Sequence, residues 1–296
     1  MIKKFHILLW VTLSLGLFSS ASATIKVASL HPILSDILKN VSDGKVEFVE
    51  VVRPGTDIHQ FTPKSADVSK MQQCSQIYAM GKGLEFYLDG LRDSLGEHIE
   101  IIEVGRTLPS QKITEDALYQ CLPVHAGTGI DPHWWHNVKN AERATKVIYK
   151  ALSEADPDNA SVYKSKGEEL RKKYRNLHSW VKSQVSQIPK NQRVLVTAHV
   201  AFAYFCKEYG FDAAYLQGLS REGKISAKDL AETVKDLKQR QVKAVFPEKL
   251  ANPKMLSQIA KEIGAQIGTP LYADDVPPSY EQMIFHNVNT IVGALR

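Results

Sequence analysis

The stretch that decides the fold is "DNASVYKSKGEELRKKYRNLHSWVKSQVSQI", residues 158–188, which contains no proline. Its apolar residues recur at roughly helical spacing, and the residues between them are highly charged. The apolar positions are Val162, Leu170, Tyr174, Leu177, Val181 and Val185. At 1.5 Å per residue, a helix of this length spans roughly 40 Å, about the length of a small domain. We therefore predict a long, stiff helix that joins two structural units. An ordinary surface helix of one domain is the alternative.

Short β-rich runs lie on both sides of this segment and alternate with helical periodicity. Four precede it, at residues 25–30, 46–52, 76–80 and 99–104, and four follow it, at residues 193–198, 212–217, 242–247 and 265–272. Such alternation predicts parallel sheets with crossover helices. The sequence therefore predicts an α/β fold with two similar units, at residues 24–157 and 189–296, although no repeat relates their sequences.

Two further segments belong to the first unit. Residues 137–157 predict a helix that begins after Asn137 as its cap and ends at Pro157. Residues 107–130 have few periodic signals, and we predict a loop there. This loop holds one histidine, His125, and so is not a histidine-rich metal tract.

The N-terminal residues predict export. Lys3 and Lys4 precede an apolar run at residues 7–18, and "ASA" precedes Thr24, which together indicate a secretory signal peptide over residues 1–23. A membrane anchor is the alternative, but the run is shorter than the roughly 20 residues that a spanning helix needs. No cysteine follows the predicted cleavage site, so nothing indicates a lipid anchor. We expect a soluble periplasmic protein.

Composition excludes some partners. Removal of the two signal-peptide lysines lowers the formal charge from +5 to +3, which is too mild and too evenly spread to indicate binding to nucleic acid. The three cysteines, Cys74, Cys121 and Cys206, match no C-x-x-C pattern. In an oxidising compartment two of them are expected to pair, and the sequence does not say which two.

Polar residues follow several predicted strands. His59 comes after the second strand, His133 lies in "DPHWWH" after the fourth, His199 follows "RVLVTA", and "ADD" follows "GTPLY". Ligands of parallel α/β sheets bind beyond the carboxyl ends of the strands. Because imidazole and carboxylate are ligands of transition metals, these residues predict a divalent metal site in the crevice between the units.

Catalysis has weaker support. The chain has no G-x-S-x-G or H-E-x-x-H motif and no cysteine beside a histidine, so nucleophilic catalysis is not indicated. Two alternatives stay open: a secreted zinc hydrolase, because three histidines and a water also suit a catalytic site, and a surface adhesin in which the metal is structural.

The motifs D-x-H-x-F-x-P and D-P-H-x-W carry a resemblance to a known family. With "GKGLEFYLDGL", "VLVTAHVAFAYFCKEYGF" and "LYADD", they cover nearly the whole chain after the signal peptide. In this respect the chain resembles the substrate-binding proteins of zinc and manganese ABC transporters, of the cluster A-I type. The resemblance implies two Rossmann-like domains joined by one long rigid helix at residues 158–188. It also implies metal ligands at His59, His133, His199 and Asp274.

The same resemblance assigns roles to the neighbours of these ligands. It makes Trp135 a packing group, and Asp275 a competing carboxylate at a position where the family usually has serine. Asp131 is interpreted as a residue that supports its loop and accepts a hydrogen bond from a ligand imidazole, and Glu248 as a residue that orients either His199 or an arginine. Two other histidines are given no place in the metal site, His136 as a surface residue or one at the start of a helix, and His31 as a capping or packing residue.

The function implied is that of a receptor and not of an enzyme. It would bind Zn²⁺, with Mn²⁺ or Fe²⁺ as alternatives, and deliver the ion to a membrane permease driven by a cytoplasmic ATPase. We expect a monomer.

Overall fold

A computed structural model of the chain describes residues 24–112, 129–216 and 227–296. The helices are α1 (Pro32–Ser42), α2 (Ser65–Met71), α3 (Leu88–Leu95), α4 (Val138–Ala155), α5 (Ala160–Val185), α6 (Ala203–Tyr209), α7 (Ala227–Gln239), α8 (Lys254–Ile263) and α9 (Tyr280–Leu295). The strands are β1 (Lys26–Ser29), β2 (Glu47–Glu50), β3 (Gln76–Ala79), β4 (Glu100–Glu103), β5 (Val194–Thr197), β6 (Asp212–Tyr215), β7 (Ala244–Val245) and β8 (Gln266–Ile267). None of the helices in these ranges has the length and apolar character needed to cross a bilayer. The predicted signal peptide and most of the predicted loop, residues 113–128, lie outside the described residues.

The N-terminal half contains a four-stranded parallel sheet in the order β2-β1-β3-β4. The inner strand β3 is buried along its whole length, as expected for a strand covered on both faces. Because all four strands run parallel, their carboxyl ends meet at one edge of the sheet. The four strands predicted for this half are confirmed.

The C-terminal half repeats this strand order. β5 pairs with β6 and β7 pairs with β8, all in parallel. A parallel bridge between Thr197 and Phe246 places β7 beside β5, so the order is β6-β5-β7-β8. The last two predicted strands are shorter than expected, with two residues each in regular pairing. Pro247 and Pro270, which carry no N–H, lie within the predicted runs and help to limit the ladder.

The long helix is confirmed as α5, with 26 residues. It packs along α4 and contacts α1 in the N-terminal half and α6 and α9 in the C-terminal half. Its buried face begins at Tyr163 and not, as predicted, at Val162, because Tyr163 is fully buried and donates a hydrogen bond to Asp156. Preceding it, α4 begins after Asn137, whose side chain accepts from Lys139 N, and ends before Pro157, both as predicted.

One apolar core passes through both halves. It includes Val27 and Ile148 from the N-terminal half, Leu177 of α5, and Phe246 and Ile291 from the C-terminal half. Two smaller cores lie on the opposite faces of the sheets. The fold is therefore α/β with parallel sheets and one long linker helix, while the domain boundaries at residues 157 and 189 stay predictions.

Two of the three cysteines are free thiols. Cys74 and Cys206 are both buried and unpaired, so neither forms the disulfide that was expected. Burial raises the pKa of the Cys74 thiol to about 11. Cys121 lies outside the described residues.

Candidate metal centre

His59 lies in the segment that follows β2. Its backbone N–H donates to Asp57 Oδ1 at 3.1 Å, a local bond typical of an Asx turn. Gly55, at φ 83°, allows the tight turn that precedes it. The turn sends the His59 side chain inward, where the residue is only 7% exposed.

His133 is held by the residue two positions before it. Asp131 Oδ1 accepts from His133 N at 2.9 Å and lies 2.8 Å from His133 Nδ1. Because the carboxylate accepts the Nδ1 proton, the lone pair of Nε2 is free to bind a metal. The orienting role predicted for Asp131 is confirmed, and His133 is fully buried.

His199 is held in the same way by a distant residue. Its Nδ1 donates a short hydrogen bond to Glu248 Oε2. The other oxygen of Glu248 accepts from the backbone N–H groups of Ala198 and His199, each at 3.0 Å. Glu248, after β7, therefore fixes both the ring and the main chain of His199; of its two predicted partners, His199 and an arginine, the structure places it on His199.

Asp274 and Asp275 face different directions. The Asp274 carboxylate is fully buried and lies 3.3 Å from His199 Nε2 and 3.4 Å from His133 Nε2. Asp275 Oδ1 instead accepts from Gly55 N at 2.8 Å, at the protein surface. The structure thus brings Asp274, and not Asp275, to the three histidines.

Four side chains meet where the two halves of the chain face each other. One ligand atom from each of His59, His133, His199 and Asp274 lies within 4.8 Å of the other three. His59 Nε2 lies 3.3 Å from His133 Nε2, and each of the three Nε2 atoms lies 3.3–3.5 Å from an oxygen of the Asp274 carboxylate. A tetrahedron with bonds of about 2.0–2.1 Å has edges of about 3.3–3.4 Å. These four separations are close to the edges of such a tetrahedron.

The pKa values of the four groups diverge. Burial lowers the pKa of His59, and the nearby Asp274 only partly opposes this. Burial also acts on His133 and His199, but the carboxylates beside them outweigh it: the pKa of His133 is raised, and that of His199 is raised to about 10. Burial would raise the pKa of Asp274, but His199 and His59 hold it well below its usual range. At neutral pH and before a metal binds, the Asp274 carboxylate is thus ionised and the His199 ring is protonated on both nitrogens.

Of the two predictions for His136, the surface position is wrong and the position at the start of a helix is confirmed. It is buried, not on the surface; its Nε2 donates to Ala273 O at 2.9 Å, and its ring packs on Phe202 at 4.2 Å between centroids. The residue does stand just before α4, in a 3₁₀ turn, and is not among the four clustered donors. Burial lowers the pKa of His136 to about 3, so the ring is neutral.

The other described histidines are not among the four clustered donors. His31 caps α1, where Nδ1 accepts from Ile33 N at 3.1 Å, and its ring packs on Trp135, so the capping prediction is confirmed. His178 pairs with Tyr209 and His286 bonds to Pro270 O. His125 lies outside the described residues.

Sequence reasoning missed several contacts that join the two halves beside the site. Trp135 Nε1 donates to Ala273 O at 2.9 Å, and Tyr280 OH donates to Trp135 O at 2.6 Å. Tyr204 OH donates to Asp131 O at 3.0 Å. Each partner is more than 70 residues away along the chain, so no local signal predicts these bonds.

Comparison with known proteins identifies the family. The family described as "Zinc-uptake complex component A periplasmic" matches residues 27–294. The manganese-binding lipoprotein MntA of Bacillus subtilis is 31% identical, over 94% of this chain and 92% of the relative. The iron-binding protein YfeA of Yersinia pestis is also 31% identical, over 92% and 87%.

A solved structure shares the fold. The periplasmic zinc-binding protein TroA from Treponema pallidum superposes with a TM-score of 0.81 at 27% identity, over 92% of this chain and 99% of TroA. The relatives are thus named for manganese, iron and zinc, and the fold, the buried three-histidine and aspartate cluster and the family match agree. The chain belongs to the ZnuA family, the metal-binding substrate-binding proteins of ABC transporters, which are transport components and not enzymes.

Proposed function

We propose that this protein is a periplasmic receptor that captures Zn²⁺ with His59, His133, His199 and Asp274. It would then deliver the ion to a membrane permease driven by a cytoplasmic ATPase. The observation that carries the proposal is the convergence of four donors from four separate segments within 4.8 Å of one another. Delivery to a permease rests on the family, whose members are components of ABC transporters.

The donor set favours zinc. Three imidazoles and one carboxylate suit a tetrahedral zinc site, whereas manganese prefers more oxygen ligands. The four separations of 3.3–3.5 Å among these side chains are close to the edges expected around Zn²⁺. For a given nitrogen-containing site, affinity also rises from manganese through iron towards zinc.

Manganese or iron is the second candidate cargo, and specific observations favour it. The two relatives at 31% identity are named for manganese and iron. Asp274 can also bind through both oxygens, which would raise the coordination number. A hydrolase has less support, because four protein donors fill a tetrahedral shell and leave no position for a reacting water.

The test is competition between metals at equal free concentrations, read by elemental analysis of the purified protein. We expect one ion per chain and zinc in preference to manganese and iron. A His199→Ala variant, which lacks one donor, is the matched control and should lose the tight site. Displacement of zinc by manganese would contradict the zinc assignment, and no stoichiometric metal in the unsubstituted protein would contradict the receptor.

The remaining proposals concern the mature chain. We propose that residues 1–23 are cleaved on export, that residues 24–157 and 189–296 form two domains with residues 158–188 as their linker, and that the receptor is monomeric. Mass spectrometry of the periplasmic protein tests the cleavage site, and light scattering tests the monomer. A retained N-terminus would contradict cleavage.

A further inference from the structure

The cluster is closed to solvent. His59 is 7% exposed, and His133, His199 and Asp274 are 0% exposed. An ion reaches them only when contacts between the segments around the site open. The contacts that join the two halves near Asp274 therefore decide how fast an ion enters and leaves.

On the inner side, Asp274 is held through its neighbour Ala273. The carbonyl oxygen of Ala273 accepts from Trp135 Nε1 and from His136 Nε2, both at 2.9 Å. All three residues are buried. Breaking these bonds would leave buried polar groups without partners, which is strongly unfavourable.

On the outer side, Asp274 is held through its other neighbour. Asp275 Oδ1 accepts from Gly55 N at 2.8 Å, and Gly55 lies four residues before His59. This bond is exposed to water. A surface groove of about 300 Å³ lies at the same seam, lined from both halves by residues that include Asp36, Pro54 and Val276. Water can therefore replace the partners of this bond as it opens, unlike those of the inner bonds.

We propose that the hydrogen bond between Asp275 and Gly55 is the gate of the metal site. The gate joins the segment that carries His59 to the segment that carries Asp274, and the ion passes between them when the bond opens. The inference rests on the proposed function, because it assumes that the four buried side chains hold an ion. Asp275 is a positioning residue here and not a ligand, since its carboxylate is turned towards Gly55.

A gate has a kinetic signature that a ligand lacks. Opening is needed both for entering and for leaving, so loss of the gate bond should raise the association and dissociation rates by a similar factor. The net strength of one hydrogen bond corresponds to about a three- to ten-fold change in rate. The Kd should then stay within about two-fold, because a bond present in both the free and the metal-bound protein does not shift the equilibrium.

The experiment measures zinc association by stopped flow, and dissociation by capture with excess chelator, in the full-length mature protein. Asp275→Ala removes the acceptor, whereas Asp275→Asn keeps an acceptor oxygen and removes only the charge. We expect both rates to rise about three- to ten-fold in the alanine variant and to stay near those of the unsubstituted protein in the asparagine variant.

Three results would overturn the gate. Unchanged rates in Asp275→Ala would show that the bond does not limit passage. Equal effects of the alanine and asparagine variants would assign the change in rate to the lost negative charge of Asp275. Loss of that charge would by itself slow the association of a cation. A large loss of affinity, or a changed absorption spectrum of bound Co²⁺, would make Asp275 a ligand. If the unsubstituted protein bound no zinc at all, the proposed function itself would fail.

Discussion

Each half of the molecule contributes one histidine that is held by a carboxylate, and the two pairs are built differently. In the N-terminal half Asp131 accepts from both N and Nδ1 of His133. In the C-terminal half Glu248 does the same for His199. The first carboxylate is two residues from its histidine, and the second is 49 residues away.

The difference shows what each pair depends on. The first needs only one turn of the chain, because Asp-Pro-His brings the carboxylate back to its own histidine. The second requires β7 to lie beside β5, which the bridge between Thr197 and Phe246 provides. The N-terminal pair is therefore a product of local sequence, whereas the C-terminal pair forms only with its sheet.

The largest expected effect comes from removing the rings themselves. His133→Ala and His199→Ala should each weaken zinc binding by more than the 10- to 100-fold expected for loss of an orienting partner. His136→Ala is the matched control: affinity should change by less than about ten-fold, although stability should fall by about 1–3 kcal/mol as Ala273 O loses a buried donor. Calorimetry measures both quantities. If His136→Ala proved the more damaging to binding, the ligand assignment would be wrong.

The next effect separates the two pairs. Glu248→Gln should weaken zinc binding about 10- to 100-fold, because an amide can donate to Nδ1 and leave the proton on Nε2, where the metal binds. It should also lower the melting temperature, since the same carboxylate holds two backbone N–H groups. Asp131→Asn should lie at the lower end of this range and cost less stability, because its contacts are local. Equal losses in both variants would remove the distinction between the pairs.

The smallest expected effect is the release of a proton when zinc binds. The raised pKa of His199, about 10, means that a metal must displace its proton at neutral pH. Zinc binding between pH 7 and 8 should therefore release about one proton, and affinity should rise about tenfold per pH unit. Titration calorimetry in two buffers with different ionisation heats measures the release. The proton release should be smaller in Glu248→Gln than in Asp131→Asn. A binding enthalpy that does not depend on the buffer would contradict the predicted release.

The raised pKa of His199 also makes the stability of the metal-free protein depend on pH. The pKa of His199 in the folded protein lies above its usual value of 6.5. Its charge therefore stabilises the fold fully below about pH 6.5, and this contribution is lost as the pH rises through about 10. Melting of the metal-free protein across this interval should show stability falling with pH, whereas excess zinc should abolish the trend, because His199 is then neutral in both the folded and the unfolded protein.

The features that the sequence predicts correctly depend on local contacts, and those that it does not predict depend on distant ones. The eight strands, the long helix, the Asn137 cap and the Asp131 support all rest on short-range patterns, and the structure confirms them. His136 was placed wrongly, because only the approach of Ala273 from the other half makes it a buried donor. Which of Asp274 and Asp275 faces the histidines likewise depends on a distant contact. Gly55, 220 residues away, donates a hydrogen bond to the Asp275 carboxylate at the surface.

The apolar core that passes through both halves bears on how the chain folds. Because Ile148, Leu177 and Ile291 belong to one continuous cluster, the N-terminal half, the long helix and the C-terminal half share one apolar interior. A fragment that contained one sheet alone would expose much of that cluster to water and lose its stabilisation. We therefore expect the two halves, although similar in topology, to depend on each other for stability.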